Sequence, residues 1–417
     1  MNKPSHTALY AREPIRSWGA LAALGMLFFV ITAGTFSSLG VVLPAMIKEM
    51  GWSWTEAGLG FTVLAVVCGL ASYAPTAVIR TLGVRTTLIS GGVIMGAGFL
   101  CLYLVRSPTL YLIGTTLEGL GFAMTSVIPG AYVLSHLFRR ASAPLGLYFT
   151  LGGMGGVAGP WFYFTMVKMT HDWRAYWLCL AVACVILAAL AAFSIDMRNL
   201  VEAEGEAEIA SPADGVAAAA HDWSARAALA TSQFWIIVAA YTVNTLVEVT
   251  INGLSVGHLH DRGVGAELAG AMLSLQALTG VLGRVAGGWI GERIDAKRLV
   301  VGGLACTVVG IAALALTHGG PLMVVYALGV GFGYGLTYLA TTVLLLQSFG
   351  RRRNLELFST VCLISTLAAV GPVLAGGVRD VTGGFAPVFW LFAAVTALAM
   401  IAVALMRPLS RPTFITD

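Results

Sequence analysis

Of the 24 basic and 20 acidic residues in this sequence, only Glu118, Glu248 and Arg284 fall well inside long apolar runs. Even on lenient scales a charge near the centre of a membrane costs about 3 kcal/mol, so each needs a chemical reason to be there. Arginine stays protonated in proteins and presents a planar fork of donors that matches a carboxylate. A buried glutamate can take up or release a proton as its surroundings change. Together the two residue types suggest anion binding and proton transfer. Gln276, Gly280 and Arg284 recur at four-residue intervals and so share one helix face. Tyr241, Asn244, Glu248 and Asn252 form a second stripe, and Glu118, Thr125, Tyr132 and His136 a third. The structural alternatives are that Arg284 pairs with Glu248 or with helix-end carbonyls, and that Glu118 makes a bundle-stabilising hydrogen bond.

The elements that must position these groups are helices in lipid. Hydrophobic residues make up 58% and charged residues 11%, against roughly a quarter charged in soluble proteins. Apolar stretches near 18–47, 55–79, 86–105, 109–137, 143–168, 174–195, 231–257, 265–290, 298–317, 321–348, 355–378 and 384–406 reach or approach the roughly 20 residues that cross a bilayer. The run from Gly152 to Gly159 reads as a close-packing face.

The chain also repeats itself. Gly119-Leu120-Gly121-Phe122 recurs 212 residues on as Gly331-Phe332-Gly333-Tyr334, Arg139-Arg140 as Arg351-Arg352, Gly159-Pro160 as Gly371-Pro372, and Gly51 as Gly263. Two like halves of membrane helices suggest a carrier in which one bundle rocks against the other around a central site. The expected fold is an all-α membrane protein of twelve transmembrane helices in two pseudo-symmetric six-helix bundles. Residues 1–195 form the first, 196–230 a cytoplasmic linker and 231–417 the second.

Lys and Arg concentrate in the tails and in the loops on the same side as the tails, which places both termini in the cytoplasm, in a plasma or inner membrane. The formal charge of +4 is mostly this topology signal and gives no argument for nucleic acid. Trp52, Trp54, Trp173 and Trp177 fall at predicted outer boundaries, where amphipathic rings prefer to lie. The six cysteines sit in apolar runs without metal-ligand spacing, and no metal or cofactor is expected. Gly253-Leu254-Ser255-Val256-Gly257 spells a nucleophile elbow, but at the end of a membrane helix it lacks the strand-turn-helix setting that catalysis needs, so no enzyme is expected. No Walker A segment is present for direct ATP drive.

The loop Gly288-Trp289-Ile290-Gly291-Glu292-Arg293-Ile294-Asp295-Ala296-Lys297-Arg298 resembles the G-x-L-x-D-R-x-G-x-K/R-R signature of the major facilitator superfamily. Its first-half counterpart, Arg80 to Arg85, is degenerate, with Arg80 where the family has its acid. The resemblance implies a gating role for Gly288, Glu292, Arg293 and Asp295, and for Gly83 and Arg85 in the first copy. Several stretches are similar to monocarboxylate transporters and oxalate/formate exchangers: Gly34-Thr35-Phe36-Ser37 through Pro44, Gly51-Trp52-Ser53, Tyr132 to Gly146, Trp223 to Arg226 with Phe234-Trp235, and Gly280 to Gly287. In that branch an arginine at the place of Arg284 binds the substrate carboxylate. Gly280 departs from it, since many relatives carry a proton-exchanging aspartate there.

The resemblance thus points to a secondary transporter of small organic anions, with proton-coupled monocarboxylate symport by alternating access as the leading reading. Arg284, Tyr132, Gln276, Asn244, Tyr334, Tyr338 and Ser359 are the substrate-binding candidates; for the tyrosines and Ser359, packing in the core is the ordinary alternative. Glu248, ahead of Glu118, is the candidate proton carrier because it shares a half with Arg284. The partners implied are a carboxylate, a proton and membrane lipid. With one intramembrane cation, a single carboxylate fits better than a dianion. Exchange or uniport of carboxylates stays open, as does proton-coupled efflux of drug-like compounds. The efflux reading rests on Gly155 to Pro160 and is weakened by Phe162 and Tyr163 replacing the motif's last glycines and by Thr115 at the place of the exporters' arginine. A transporter-shaped receptor would need a signalling partner.

Overall fold

The computed structural model describes residues 15–138, 142–195, 225–291, 293–349 and 354–407, and every regular element among them is helical. The first span, α1, runs through Ile15–Thr32, a π turn at Ala33–Ser37 and Ser38–Met50. Trp54–Leu70 begins α2, which continues through the turn Ala71–Tyr73 into Ala74–Tyr103. That last helix is broken at Gly83, where φ of 83° and ψ of 164° leave the helical region. Its first part completes α2 and its second is α3. The rest of the first half is α4 (Pro108–Thr125 and Val127–Leu137), α5 (Ser142–Thr170) and α6 (Arg174–Ser194). The second half holds α7 (Ser232–Asp261), α8 (Ala266–Ile290), α9 (Ala296–Leu316) and α10 (Pro321–Phe349). It closes with α11 (Asn354–Ser365, Thr366–Val370 and Gly371–Thr382) and α12 (Ala386–Leu405). A short helix, Ala225–Leu229, precedes α7, and the linker before it lies outside the described residues.

Among the described residues, ten helical runs are long and apolar enough to cross a membrane. One of them, Trp54–Tyr103, is 50 residues, about 75 Å at 1.5 Å per residue, and so accounts for two crossings, α2 and α3. The Gly-rich α5, at 29 residues, is long enough by length alone. Twelve crossings follow, as the sequence implies.

The 212-residue repeat holds at the level of single residues. Starts of α2 and α8 coincide at Trp54 and Ala266, those of α5 and α11 at Ser142 and Asn354, and those of α6 and α12 at Arg174 and Ala386. Left-handed residues also recur in step: Gly51 (φ 69°) with Gly263 (81°), and His171 (57°) with Gly383 (79°). His171 adopts a conformation that glycine takes more readily, which shows that the turn matters more there than the residue.

Small residues set the spacing of the helices. Gly91, Gly98 and Gly121 close the α3–α4 seam, and their counterparts Gly303, Gly310 and Gly333 close the α9–α10 seam. The glycine run of α5 serves two neighbours. A Cβ on Gly152, Gly155 or Gly159 would strike α1, one on Gly153 would meet Val281 of α8 in the other bundle, and one on Gly156 would meet both Ser37 of α1 and Ala277 of α8. At the α8–α10 seam a Cβ on Gly335 would run into the carbonyl of Gly280 and lie 3.1 Å from the Arg284 nitrogen. Backbone cannot give way as a flexible side chain can. Gly335→Ala should therefore lower the unfolding midpoint of the purified protein, by an overpacking cost of roughly 1–3 kcal/mol. Gly280→Ala, whose nearest contact would be 3.4 Å from the Gly331 carbonyl, should leave it near wild type. Equal midpoints for the two variants, read by scanning fluorimetry, would contradict this account of the seam.

The bundles meet through α1 with α7, α2 with α11, and α5 with α8. The inter-bundle hydrogen bonds and ion pair among the described residues lie on one face, opposite the terminal face, where α1 begins and α12 ends. On this distal face Lys168 of α5 pairs with Glu267 of α8 at 2.9 Å. The Asp380 carboxylate of α11 accepts from the amides of Trp54 and Thr55, at 3.1 and 2.9 Å, and from the Thr55 hydroxyl. Lys168 and Asp380 are repeat mates, as are Thr55 and Glu267, so one latch occurs twice with different chemistry. The helix start it grips is fixed by a capping box between Ser53 and Glu56.

Breaking this latch should favour the conformation in which the distal face parts. Asp380→Ala removes charge-assisted bonds worth about 1.5–3 kcal/mol. Spin labels on Lys48→Cys and His260→Cys should then report a longer inter-bundle distance in the variant; an unchanged distance distribution would deny the latch its role.

All four tryptophans expected at the outer boundary lie at helix ends but turn their rings into the protein, Trp52 and Trp173 being buried. Trp177 is fully buried and packs against Phe99, and Trp54 is wedged between the bundles against Phe385, Gly257 and Gly376. Helix packing takes these rings out of the interface that their type prefers.

Candidate functional site

The polar stripe of α7 does not face lipid; it meets α8 and α10 in layers. Nearest the distal face, Gln276 donates from Nε2 to Glu248 and to Asn252, both at 3.2 Å, and its Oε1 accepts from the buried Tyr326 hydroxyl at 2.8 Å. Asn252 also donates to Glu248 at 3.1 Å. Both carboxylate oxygens of Glu248 thus accept from amides, which hold it in place. Gln276, expected at the substrate, has its amide fully engaged in this network and ties three helices together.

One to two turns toward the terminal face, the second layer holds the cation. The Arg284 guanidinium lies 5.4 Å from the ring centre of Tyr334 and 5.3 Å from that of Tyr338, a geometry in which aromatic faces attract a cation. Its Nε is buried with no hydrogen-bond partner. The ion pairs among the described residues are Lys168–Glu267, Arg174–Glu49 and Arg379–Asp261, so Arg284 is not paired with Glu248. Asn244 anchors α7 here by donating to the Tyr334 carbonyl at 3.3 Å, and its own Oδ1 is buried without a partner. Below, Tyr241 packs on Tyr338 and Phe358, with ring centres 5.5 and 6.0 Å apart.

The close α8–α10 approach brings this second layer together. Gly280 and Gly283 on one helix meet Gly331, Phe332 and Gly335 on the other, backbone to backbone, which carries Arg284 onto the two tyrosines. The sequence-predicted residues Arg284, Asn244, Gln276, Glu248, Tyr334 and Tyr338 are therefore brought together. Tyr132 lies in the first half, half-buried against its core. The side chain of Ser359 and residue Glu292 fall outside the described residues.

Glu118 stands apart from this cluster. It is fully buried in the α3–α4 seam, where a Cβ on Gly98 would lie 2.9 Å from its Cγ, and neither carboxylate oxygen has a partner among the described residues. Its repeat mate is Val330, which faces Gly310 in the equivalent seam.

The described loop residues expected to gate make their contacts within their own halves. Arg85 donates to the carbonyls of Ala192 and Ile195, at 3.1 and 2.8 Å, closing the end of α6. Its mate Lys297 does the same for α12 through the Met406 carbonyl at 2.7 Å. Gly83 supplies the break between α2 and α3, and Asp295 caps α9 through the Lys297 amide at 3.2 Å. Arg293 lies over Trp289, and Gly288 is open enough that an added Cβ would meet only Leu339, at 3.8 Å.

Projecting the repeat onto the first half reveals what inspection of charges misses. Positions 32, 36, 64 and 122 are the mates of Asn244, Glu248, Gln276 and Tyr334, and they are Thr32, Phe36, Leu64 and Phe122. Phe36 sits in the π turn, a deviation that recurs at functional sites, and packs on Phe122 with ring centres 5.4 Å apart. Thr32 has a buried hydroxyl without a partner.

Two six-helix bundles that repeat at a constant offset, pack on each other through three helix pairs and hold near their junction an arginine with no ion-pair partner among the described residues have the build of a membrane carrier. The chain belongs to the Major Facilitator Superfamily, whose sequence profile matches residues 25–355 and again 243–414. Among curated relatives, monocarboxylate transporter 13 of Rattus norvegicus is 26% identical over 389 residues, covering 90% of this chain and 86% of its own. Monocarboxylate transporter 11 of Mus musculus is 26% identical over 404 residues, covering 91% and 85%. Among solved structures, a point mutant of the nucleoside transporter NupG shares the fold with a TM-score of 0.72 at 11% identity, covering 92% of this chain and 99% of its own. A bacterial homolog of the human lysosomal transporter Spinster, in an inward-facing and occupied conformation, gives 0.72 at 15%, covering 94% and 96%. The chain is an integral multi-pass membrane protein and a transporter by family.

Proposed function

We propose that the protein carries small monocarboxylates across the membrane together with a proton, by alternating access. The observation that supports this most is the Arg284 guanidinium, set between two tyrosine rings with a buried, unpartnered Nε and no carboxylate of the described residues in ion-pair reach. This half-buried cation has no anion within ion-pair reach among the described residues, and an incoming carboxylate supplies one. The names of the curated relatives point the same way.

Glu248 is the proposed proton carrier. As a carboxylate it accepts from Asn252 at Oε1 and from Gln276 at Oε2; a proton taken up on Oε2 makes that oxygen a donor, and the Gln276 amide then turns or lets go. Because Gln276 also accepts from Tyr326, the protonation state of Glu248 is passed to the α8–α10 pair that carries Arg284. The distal face then corresponds to the outside and the latched form to the state open to the cytoplasm, with both termini inside. Counterflow in liposomes tests carriage itself: external labelled carboxylate should accumulate in vesicles preloaded with the unlabelled acid. Saturable binding without counterflow would make the protein a receptor.

A further inference from the structure

We infer that the acid this site takes has an apolar, ring-sized body, with its carboxylate on the second half and its body on the first. This inference rests on the carboxylate reading above and narrows it to aromatic and similarly bulky monocarboxylates.

The two halves are equivalent in backbone and opposite in chemistry. Gly40 of α1 and Asn252 of α7 are repeat mates, and a Cβ on Gly40 would run into the Asn252 carbonyl, so the pair touches at the pseudo-two-fold axis. One turn toward the terminal face from this contact lie Phe36 on α1 and Glu248 on α7, again mates. They therefore stand opposite each other across the bundle junction. Gly156 of α5 joins the same region from the side: a Cβ there would be 3.0 Å from Ser37 and 3.4 Å from Ala277, the neighbours of Phe36 and Gln276.

From residue 33 to residue 43 of α1, Phe36 alone is not buried, although it lies in mid-helix at the bundle junction. Its ring contacts Phe122, the mate of Tyr334, and Phe122 in turn packs on Phe28 at 6.3 Å. Where the second half offers a carboxylate, amides and a guanidinium, the first offers two half-buried phenyl rings and an unpartnered hydroxyl, that of Thr32. A short hydrophilic acid would leave those rings facing water. A ring-bearing acid would cover them, and aromatic pairs add to the area buried.

The test is competition for binding to the purified full-length protein by a set of monocarboxylates of equal charge: acetate, L-lactate, phenylacetate and 3-phenylpropionate. Wild type should bind the phenyl acids about ten- to a hundredfold more tightly than acetate. Phe36→Leu and Phe122→Leu, chosen to preserve packing, should narrow that preference several-fold, with the loss falling on the phenyl acids. Equal affinity for short and phenyl acids in wild type, or equal weakening of both by the variants, overturns this inference and leaves the carboxylate reading standing. Failure of every acid to bind overturns both.

Discussion

Arg284→Ala should weaken carboxylate binding by a factor of roughly thirty to several thousand, the equivalent of about 2–5 kcal/mol for truncating one member of a buried, hydrogen-bonded charge pair. The loss should fall on affinity with the fold intact. Arg284 forms no ion pair among the described residues, and the α8–α10 seam is closed by glycine contacts that its side chain does not make. Arg284→Lys separates charge from geometry. It keeps the cation but loses the planar fork, so it should recover only part of the affinity. Calorimetric titration of a bound monocarboxylate into the three proteins checks this. Alanine and wild-type affinities within a factor of two would assign Arg284 to structure.

Glu248→Gln should uncouple the proton while sparing the carrier. The substitution imitates a protonated glutamate, so it fixes the network in one of its two hydrogen-bonding arrangements and removes the titratable group. Accumulation driven by an inward proton gradient should drop to the level reached without one, and counterflow of the same acid should persist at a substantial fraction of the wild-type rate. Glu118→Gln is the comparison. Because Glu118 lies in the α3–α4 seam with no link to Arg284, its replacement should leave gradient-driven accumulation in place. Gradient-driven accumulation that survives in Glu248→Gln and disappears in Glu118→Gln would move the coupling site into the first half.

The second half's site was legible because charge in an apolar run stands out. Arg284, Glu248 and the amide stripe of α7 announce themselves by type and spacing, and the structure brings them together. Roles within the cluster were less legible. Gln276 shares a face with Arg284, but only the position of Tyr326 on a third helix shows that its amide is engaged in a network. The first half's contribution was hidden for a different reason. A phenylalanine at the bundle junction is indistinguishable in sequence from one that faces lipid or core, and nothing in Ala33–Ser37 marks the π turn that holds Phe36. The 212-residue offset was the available signal, since it maps Glu248 onto Phe36 and Tyr334 onto Phe122. The same offset would have paired Lys168 with Asp380 and so pointed to the distal latch. Glycine abundance foretold close packing but not its partners: the α5 run divides between α1 and α8 by helical phase, which only the neighbours reveal.

Everything proposed for this protein turns on Arg284 taking a substrate carboxylate in a carrier that a proton gradient drives. Uptake of radiolabelled short and aromatic monocarboxylates into proteoliposomes of wild type and Arg284→Ala, with and without an inward proton gradient, addresses it most directly. Wild-type uptake should rise with the gradient and should be abolished in Arg284→Ala. Uptake that survives the substitution, or that ignores the gradient in both proteins, would contradict the proposal.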